Sequence, residues 1–306
     1  MMGFEFGHFL RPWRLLRRFA LALPFVLPAL PAAAEPALWV ARDDDSTVYI
    51  LGTIHVLKPG TAWLTPEIRA RFDHADELIL EADIRSPMLS VIATLGTSPD
   101  RPLSQRLSPD DLAYVKRVAA DLGADFPTLD PLRPWLAAVT LSSIAAQNAG
   151  YRDQGADLQL LRLAVIADKP VEGFETARQQ FEIFAGQSEE EEIAMLLSVL
   201  DQAEGVGEIF DDMTGAWLSG DEDNLSRILM ASMGTAGPDF RRRLLTDRNR
   251  DWADQIAARM KGAGATFVAV GAAHLSGPDS LQHFLAEKGI TVDRVDLTGE
   301  SRPNIK

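Results

Sequence analysis

The chain has 306 residues, of which 46% are hydrophobic and 24% are charged, a composition typical of globular proteins. It excludes a disordered, collagen-like or coiled-coil chain. Lys and Arg total 30 against 44 Asp and Glu, which gives a net charge of −14. This balance argues against a nucleic-acid partner, because general nucleic-acid binders need a basic surface. The chain contains no cysteine, so disulfides, thiolate metal sites and cysteine nucleophiles are excluded.

The first 34 residues have the pattern of a secretory signal peptide. Arginines between positions 11 and 18 precede an apolar stretch over 19–31, and Ala32-Ala33-Ala34 follows. The alternative is a membrane anchor. It is disfavoured because prolines interrupt the stretch, which is also shorter than the roughly 20 residues that span a bilayer. We therefore expect cleavage after Ala34 and a periplasmic or secreted protein without a stable membrane anchor.

The two ends of the remaining chain share one pattern. Residues 47–84 contain an apolar run that ends in Gly-x-x-His, then a loop, a helix at 66–74 and a second apolar run. Residues 266–297 repeat this series, with the helix at 279–288 and an alternating strand after it. Two such strand–Gly-x-x-His–helix–strand units predict an α/β fold with a mixed sheet.

Between these units the chain is predicted to be mainly helical. We expect a large helical insertion over 85–245 that includes one short strand at 169–174. A single domain over 35–306 is favoured, because no low-complexity linker divides it. The helix predicted over 188–203 begins with four consecutive glutamates, which we interpret as a solvated face and not as a metal site. A long helix over 241–260 precedes the second unit.

Two of the five histidines, His55 and His274, end apolar strands at glycine-containing turns. Ligands bind at the carboxyl ends of strands in parallel α/β sheets, and imidazole serves as a metal ligand and as a general base. A single histidine at a strand end is more often structural, but a pair in matching positions favours a functional site. His74 and His283 lie on predicted helices and are expected to be structural.

Two acidic residues are candidates to join the histidines. Glu81 lies in a strand that otherwise appears buried, and a buried carboxylate is unfavourable unless it is paired or bound to a metal. The alternative is a half-exposed edge strand, and Asp83, two residues further on, competes with Glu81 for the same role. Glu175 follows the short central strand, where it could equally belong to the start of the helix at 176–185.

The long helix before the second unit adds a cation. Arg248 and Asn249 lie on or beside its apolar stripe, close to Trp252. A buried guanidinium needs an anionic partner, and it can orient a carboxylate or stabilise an oxyanion. The alternative is an arginine that extends to the surface.

His55, His274 and Glu81 form a nitrogen and oxygen ligand set that suits a divalent first-row metal ion such as Mn, Co, Zn or Fe. The sequence contains no Walker loop, dinucleotide fingerprint, His-Glu-x-x-His motif or Gly-x-Ser-x-Gly elbow.

Several motifs of the chain, spread from about Ala37 to Leu297, resemble those of the TraB/GumN family: LGTIHVLKPG, LILEAD, GADLQLLRLA, KPVEGFET, and RNRDW followed by FVAVGAAHLSGPDSLQHFLAEKGITV. The resemblance implies an α/β fold distantly similar to erythromycin esterase-like (EreA) and haem-binding ChaN-like proteins. The family includes the animal Tiki metalloproteases, so the resemblance also implies a metal-dependent hydrolase site. The residues that match the family's motifs are His55, His274, Glu81, Glu175, Arg248 and Asn249.

These observations lead to two main hypotheses. The first is an exported metal-dependent hydrolase, expected to be a peptidase, that acts on a peptide or another small substrate. His55, His274 and Glu81 would hold the metal, Glu81 or Glu175 would act as general base, and Arg248 would stabilise the oxyanion. The second hypothesis is a protein that binds haem, iron or another small ligand without turnover. An assembly protein with a decayed site is disfavoured by the complete set of motif residues.

Overall fold

The computed structural model describes residues 35–83, 88–152, 154–233 and 237–297. The predicted signal peptide, residues 1–34, lies outside these described residues. Within the described ranges, no helix combines the length and the apolarity that a membrane span requires.

Six strands form one mixed sheet, which confirms the predicted α/β class. The apolar runs that precede the two Gly-x-x-His motifs both form strands with nearly continuous burial, as expected for parallel strands that are covered on both faces. The strands are β1 (Leu38–Arg42), β2 (Ser46–Thr53), β3 (Glu77–Ala82), β4 (Val171–Glu175), β5 (Gly264–Gly271) and β6 (Val292–Arg294).

The order of the strands in the sheet is β4-β3-β5-β2-β1-β6. Neighbours from β4 to β2 are parallel, whereas β1 pairs antiparallel with both β2 and β6. Thr53 at the end of β2 lies opposite Gly271 at the end of β5. Similarly, Ala82 of β3 lies opposite Glu175 of β4. The carboxyl ends of four parallel strands therefore meet at one edge of the sheet, and both histidine motifs are located there.

Helices occupy most of the chain between β3 and β5, as predicted, and β4 is the short strand expected among them. The helix predicted at 66–74 is confirmed with these bounds. The helices are α1 (Pro66–His74), α2 (Met88–Gly96), α3 (Leu103–Arg106), α4 (Pro109–Asp121), α5 (Phe126–Leu129), α6 (Pro134–Asn148), α7 (Ala156–Ile166), α8 (Ala177–Ala185), α9 (Glu189–Asp201), α10 (Val206–Leu218), α11 (Glu222–Ser232), α12 (Pro238–Arg241), α13 (Asp247–Arg259) and α14 (Leu281–Glu287).

Alternate residues of the central strands pack on opposite faces of the sheet. Leu51 and Phe267 belong to a core that includes residues of α1, α7, α10 and α11. Ile50 and Val268 belong to a second core with residues of α13 and α14. A third cluster joins α4, α6 and α9 and contains no strand residue. Helices thus cover both faces of the sheet, and its carboxyl edge is left for the loops.

The prediction of one regular helix over 241–260 is wrong in one respect. The helical segment begins at Pro238, a π-helical turn occupies Arg242–Thr246, and regular helix follows from Asp247. Single π-helical turns are frequent at functional sites. Arg248 and Asn249 lie two and three residues after the end of this turn, and both are buried.

The interpretation of the four glutamates in α9 as a solvated face is wrong for Glu192. This residue is 1% exposed and forms an ion pair with Arg133, which immediately precedes α6. Glu189 is half-buried and bridges Arg101 and Arg106. The acidic run is therefore partly an interface between helices, and its composition alone does not distinguish this from a solvated face.

We predict that Arg133→Met lowers the free energy of unfolding by about 3–5 kcal/mol, because it leaves the Glu192 carboxylate buried without its partner. Arg101→Met removes a more exposed partner and should lower it by about 0–1 kcal/mol. Urea unfolding followed by tryptophan fluorescence measures both changes. Equal losses in the two variants would contradict the prediction.

Candidate active site

The structure brings the predicted site residues together at the carboxyl edge of the sheet. His55 comes two residues after β2, Glu81 lies near the end of β3, and Glu175 is the last residue of β4. His274 lies in a 3₁₀ turn, Ala272–Leu275, that follows β5. Each candidate therefore comes from a different parallel strand or from the turn that follows it.

Gly271, the last residue of β5, is at the centre of this group. A Cβ atom here would lie 2.9 Å from Oε1 of Glu81 and 3.8 Å from both Nε2 of His55 and Cδ2 of His274. The backbone N–H of Gly271 donates to Oε1 of Glu81 at 2.6 Å. Glycine keeps this space free, since any side chain would intrude on the carboxylate. Two imidazoles that are far apart in the sequence thus converge beside one acid.

The guanidinium of Arg248 links both acids to His274. Its Nη2 donates to Oε2 of Glu81 at 2.6 Å and to Oε1 of Glu175 at 2.5 Å, and its Nε donates to Oε2 of Glu175 at 3.2 Å. Its Nη1 lies 2.9 Å from Nε2 of His274. The guanidinium carbon lies 4.5 Å from the centre of the Trp252 ring. Arg248 is therefore buried and paired, and the alternative of a surface arginine does not apply.

The hydrogen bonds of Asn249 define the tautomer of His274. The Nδ2 group of Asn249 donates to the backbone carbonyls of His274 and Asp279, so its Oδ1 faces Nδ1 of His274 at 2.6 Å as an acceptor. Nδ1 of His274 therefore carries the proton, and Nε2 accepts from Arg248. Burial and the charges of Arg248 and His55 lower the pKa of His274 to about 3, against the opposing effect of Glu81.

His55 is held through the other nitrogen of its ring. Its Nδ1 lies 3.3 Å from Oδ2 of Asp157, a residue in the first turn of α7. The partial desolvation of the ring is outweighed by the carboxylates of Asp157 and Glu81, which raise the pKa of His55. Its side chain is 63% exposed, in contrast to the buried ring of His274. The two histidines thus differ in charge and in access to solvent.

The two glutamates also differ in their electrostatic surroundings. Burial by itself raises the pKa of both carboxyl groups. Around Glu81, Arg248, the charged imidazole of His55 and the N–H of Gly271 outweigh burial and hold the pKa well below its usual range. At Glu175 burial dominates, so the pKa is raised despite the ion pair with Arg248. Carboxyl groups whose pKa values are pushed apart are typical of sites that use an acid and a base.

The structure decides the alternatives that the sequence left open for the acids. β3 lies between β4 and β5, so Glu81 is not on an edge strand, and the residue is 9% exposed. Asp83 comes after the last residue of β3, and Glu81 is the residue that faces Arg248. Thr176 caps α8, whereas the carboxylate of Glu175 is directed to Arg248.

Two polar residues that contact the site were missed by the sequence analysis. Asp157 contacts His55, and Nε2 of Gln180 donates to Oε2 of Glu81 at 2.9 Å. The glycine at position 155 was the sequence feature that could have pointed to Asp157. A Cβ at Gly155 would lie 2.3 Å from the carbonyl carbon and oxygen of His55. The start of α7 is thus packed against the backbone of the first histidine motif. Nothing in the sequence marks Gln180.

The donor set fits a divalent first-row ion in kind. A histidine that binds a metal usually has its second ring nitrogen held by a carboxylate or carbonyl group, and Asp157 and Asn249 do this for His55 and His274. Nε2 of His274 lies 3.6 Å from Oε1 of Glu81, but the lone pair of this nitrogen accepts a hydrogen bond from Nη1 of Arg248. In this arrangement, no group of three or more acidic or histidine side chains among the described residues is spaced to hold a metal ion.

Comparison with known proteins identifies relatives along most of the chain. The sequence model of the TraB/PrgY/gumN family matches residues 37–294. The uncharacterised protein YbaP of Escherichia coli (strain K12) is 28% identical over 252 residues, which cover 82% of this chain and 92% of YbaP. An uncharacterised protein of Treponema pallidum (strain Nichols) is 25% identical over 276 residues, which cover 83% of this chain and 81% of that protein. No solved structure matches the chain.

We predict that Gly155→Ala destabilises the protein by about 1–3 kcal/mol, because the new Cβ collides with the backbone of His55. Gly205→Ala is the matched control, since both glycines are helix N-caps and, apart from its chain neighbours, no atom of the described residues lies within 4 Å of a Cβ at Gly205. It should be close to neutral, because the lower entropy of the unfolded chain offsets the small advantage of glycine at an N-cap. Thermal unfolding measures both variants, and equal melting temperatures would show that the contact at Gly155 is not tight.

We further predict that the stability loss caused by His274→Gln shrinks as the pH falls. Below about pH 6.5 the unfolded chain binds a proton at His274, whereas the folded chain does not until about pH 3. As the pH falls from about 6.5 to about 3, the parent protein therefore loses stability through His274. The variant does not, because glutamine has no titrating group. Urea unfolding at about pH 7 and about pH 5 measures the difference. His283→Gln is the reference for removal of an exposed imidazole, and a loss that widens at low pH would contradict the prediction.

Proposed function

This chain belongs to the TraB/PrgY/gumN family, and we propose that it is a metal-dependent hydrolase with a peptide or another small carbonyl compound as its substrate. The observation that carries the proposal is the convergence of His55 and His274 beside Glu81, with Arg248 in contact with the same carboxylate. This group combines imidazole nitrogens, carboxylates and a cation at a strand edge where α/β proteins bind ligands.

His55, after loss of its proton, would hold the divalent ion (Mn, Co, Zn or Fe) together with His274 and Glu81, and the bound ion would polarise the substrate carbonyl and lower the pKa of a water molecule. For this, Arg248 must release Nε2 of His274. Asp157 and Asn249 orient the two imidazoles through their other ring nitrogens.

The remaining polar groups have distinct roles in the proposed reaction. Glu175 is the better candidate for the general base, because its raised pKa brings it closer to neutral pH than Glu81. Glu81 keeps its negative charge and holds cations. Arg248 supplies positive charge to the carbonyl oxygen as this oxygen becomes negative in the transition state.

We also propose that the two histidine motifs belong to a duplicated strand–Gly-x-x-His–helix–strand unit, related to EreA-like and ChaN-like proteins. The position of the motifs after the neighbouring parallel strands β2 and β5 supports this proposal. The pattern of residues 1–34 supports export to the periplasm or outside the cell.

The competing hypothesis is a protein that binds haem, iron or another small ligand without turnover. The exposed imidazole of His55 supports it, because such a group is also a suitable iron ligand. A haem titration distinguishes this hypothesis, since ligation by His55 would shift the Soret band and His55→Ala would abolish the shift.

We predict that His55→Ala lowers both metal affinity and hydrolysis by more than the roughly 10- to 100-fold typical of changes in outer-shell residues. The protein is first treated with a chelator and then titrated with Co²⁺, Mn²⁺ and Zn²⁺ by calorimetry. Cleavage of a mixed peptide library is followed by mass spectrometry with and without the added ion.

His283→Ala is the matched control, because His283 is an exposed histidine on α14 outside the site. It should bind metal and cleave peptides like the parent protein. If His55→Ala retains both properties, the proposed site is wrong.

A further inference from the structure

A cavity of about 290 Å³ adjoins the candidate active site. His55 and Gly271 both lie in its wall, so the cavity shares its boundary with the point where the imidazoles and Glu81 converge. A group bound in the cavity would therefore be adjacent to the reacting atoms of a substrate at His55.

Apolar side chains dominate the remaining wall. Phe210 and Met213 come from α10, and Leu225 and Leu229 come from α11. Among the described residues that line the cavity, His55 is the only ionisable one, although the chain as a whole is rich in acids. Apolar cavities hold water poorly and accept apolar ligands. The lining therefore selects an uncharged apolar group.

The volume limits the size of that group. A cavity of about 150 Å³ holds one benzene molecule with six carbon atoms, so this one has room for about ten to twelve carbon atoms by the same measure. That is more than an isolated leucine or phenylalanine side chain requires. It suits a medium-length alkyl chain or an extended aryl group.

A few polar groups in the wall leave room for one polar atom in the ligand. Ser142 and Ser143 of α6 line the cavity, as does Thr53 at the end of β2. Thr53 is 3% exposed, and its hydroxyl has no hydrogen-bond partner among the described residues. An unpartnered buried hydroxyl is unfavourable, and a ligand atom or an ordered water molecule can relieve this.

We propose that this cavity is the specificity pocket of the site and binds an alkyl group of the substrate, up to about ten to twelve carbon atoms long, next to the bond that is hydrolysed. The role in hydrolysis rests on the proposed function. Binding of the alkyl group does not, so the two can fail separately.

The test uses straight-chain primary amides of increasing length, from four to about fourteen carbon atoms, as neutral probes. Their dissociation constants are measured by calorimetry on the full chain, below the solubility limit of each amide. Each methylene that enters the cavity should tighten binding about three- to fourfold. The gain should stop at about ten to twelve carbon atoms, when the cavity is full.

Two variants move this limit in opposite directions. Ser143→Leu adds three side-chain carbons to the wall and should shorten the longest chain that still gains affinity by about two to three carbons. Met213→Ala removes bulk from the wall and should lengthen it by a similar amount. Gln147→Leu, an exposed position on the same helix as Ser143, should leave the limit unchanged. Circular dichroism checks that each variant folds, and either of the two shifts suffices for the test.

The outcomes separate the two proposals. If the amides bind with a length limit that shifts in the variants, but the protein hydrolyses no peptide, the pocket is supported and the proposed hydrolase is overturned. Hydrolysis that is independent of chain length, with no amide binding, overturns the pocket and leaves the hydrolase intact. A limit that is the same in Ser143→Leu, Met213→Ala and the parent protein also overturns the pocket, because the amides would then bind elsewhere.

Discussion

The buried guanidinium of Arg248 is the interaction on which the carboxyl edge of the sheet depends. It contacts Glu81 in β3, Glu175 in β4 and His274 after β5, and these three strands are neighbours in the sheet. One side chain from α13 thus ties three strand ends together. Without it, two carboxylates would be buried side by side, and their desolvation and mutual repulsion would oppose folding. The planar guanidinium suits this task because it donates several hydrogen bonds in fixed directions while it packs on Trp252.

The contact between Arg248 and His274 also bears on how the site could bind a metal ion. His274 is neutral, and its Nε2 lone pair faces a cation that belongs to the protein itself. Under the proposed function, a divalent ion would take the place of Arg248 at this nitrogen, beside the carboxylates of Glu81 and Glu175. Asp157 and Asn249 hold the other ring nitrogen of each histidine.

The sheet and the helices contribute different parts of the site. Strand ends and the turns after them supply the ionisable groups, and close backbone packing at Gly155 and Gly271 keeps these groups in place. Much of the apolar wall of the adjoining cavity comes instead from α10 and α11, and α6 contributes two serines and an alanine. These helices lie between β3 and β5 in the chain, so the segment that separates Glu81 from His274 also forms the proposed binding surface. Chemistry and selectivity can therefore vary independently in such a fold.

The sequence by itself determined the α/β class, the strands before both histidine motifs and the choice of His55 and His274, because apolar runs and Gly-x-x-His turns are local patterns. It could not choose between Glu81 and Asp83 or between a buried and an exposed Arg248, since both choices depend on which strands are neighbours. It also missed Asp157, Gln180 and the burial of Glu192, whose partners are distant along the chain. Only the tertiary structure decided these points, because burial and ionic pairing are properties of the packed chain and local residue patterns do not specify them.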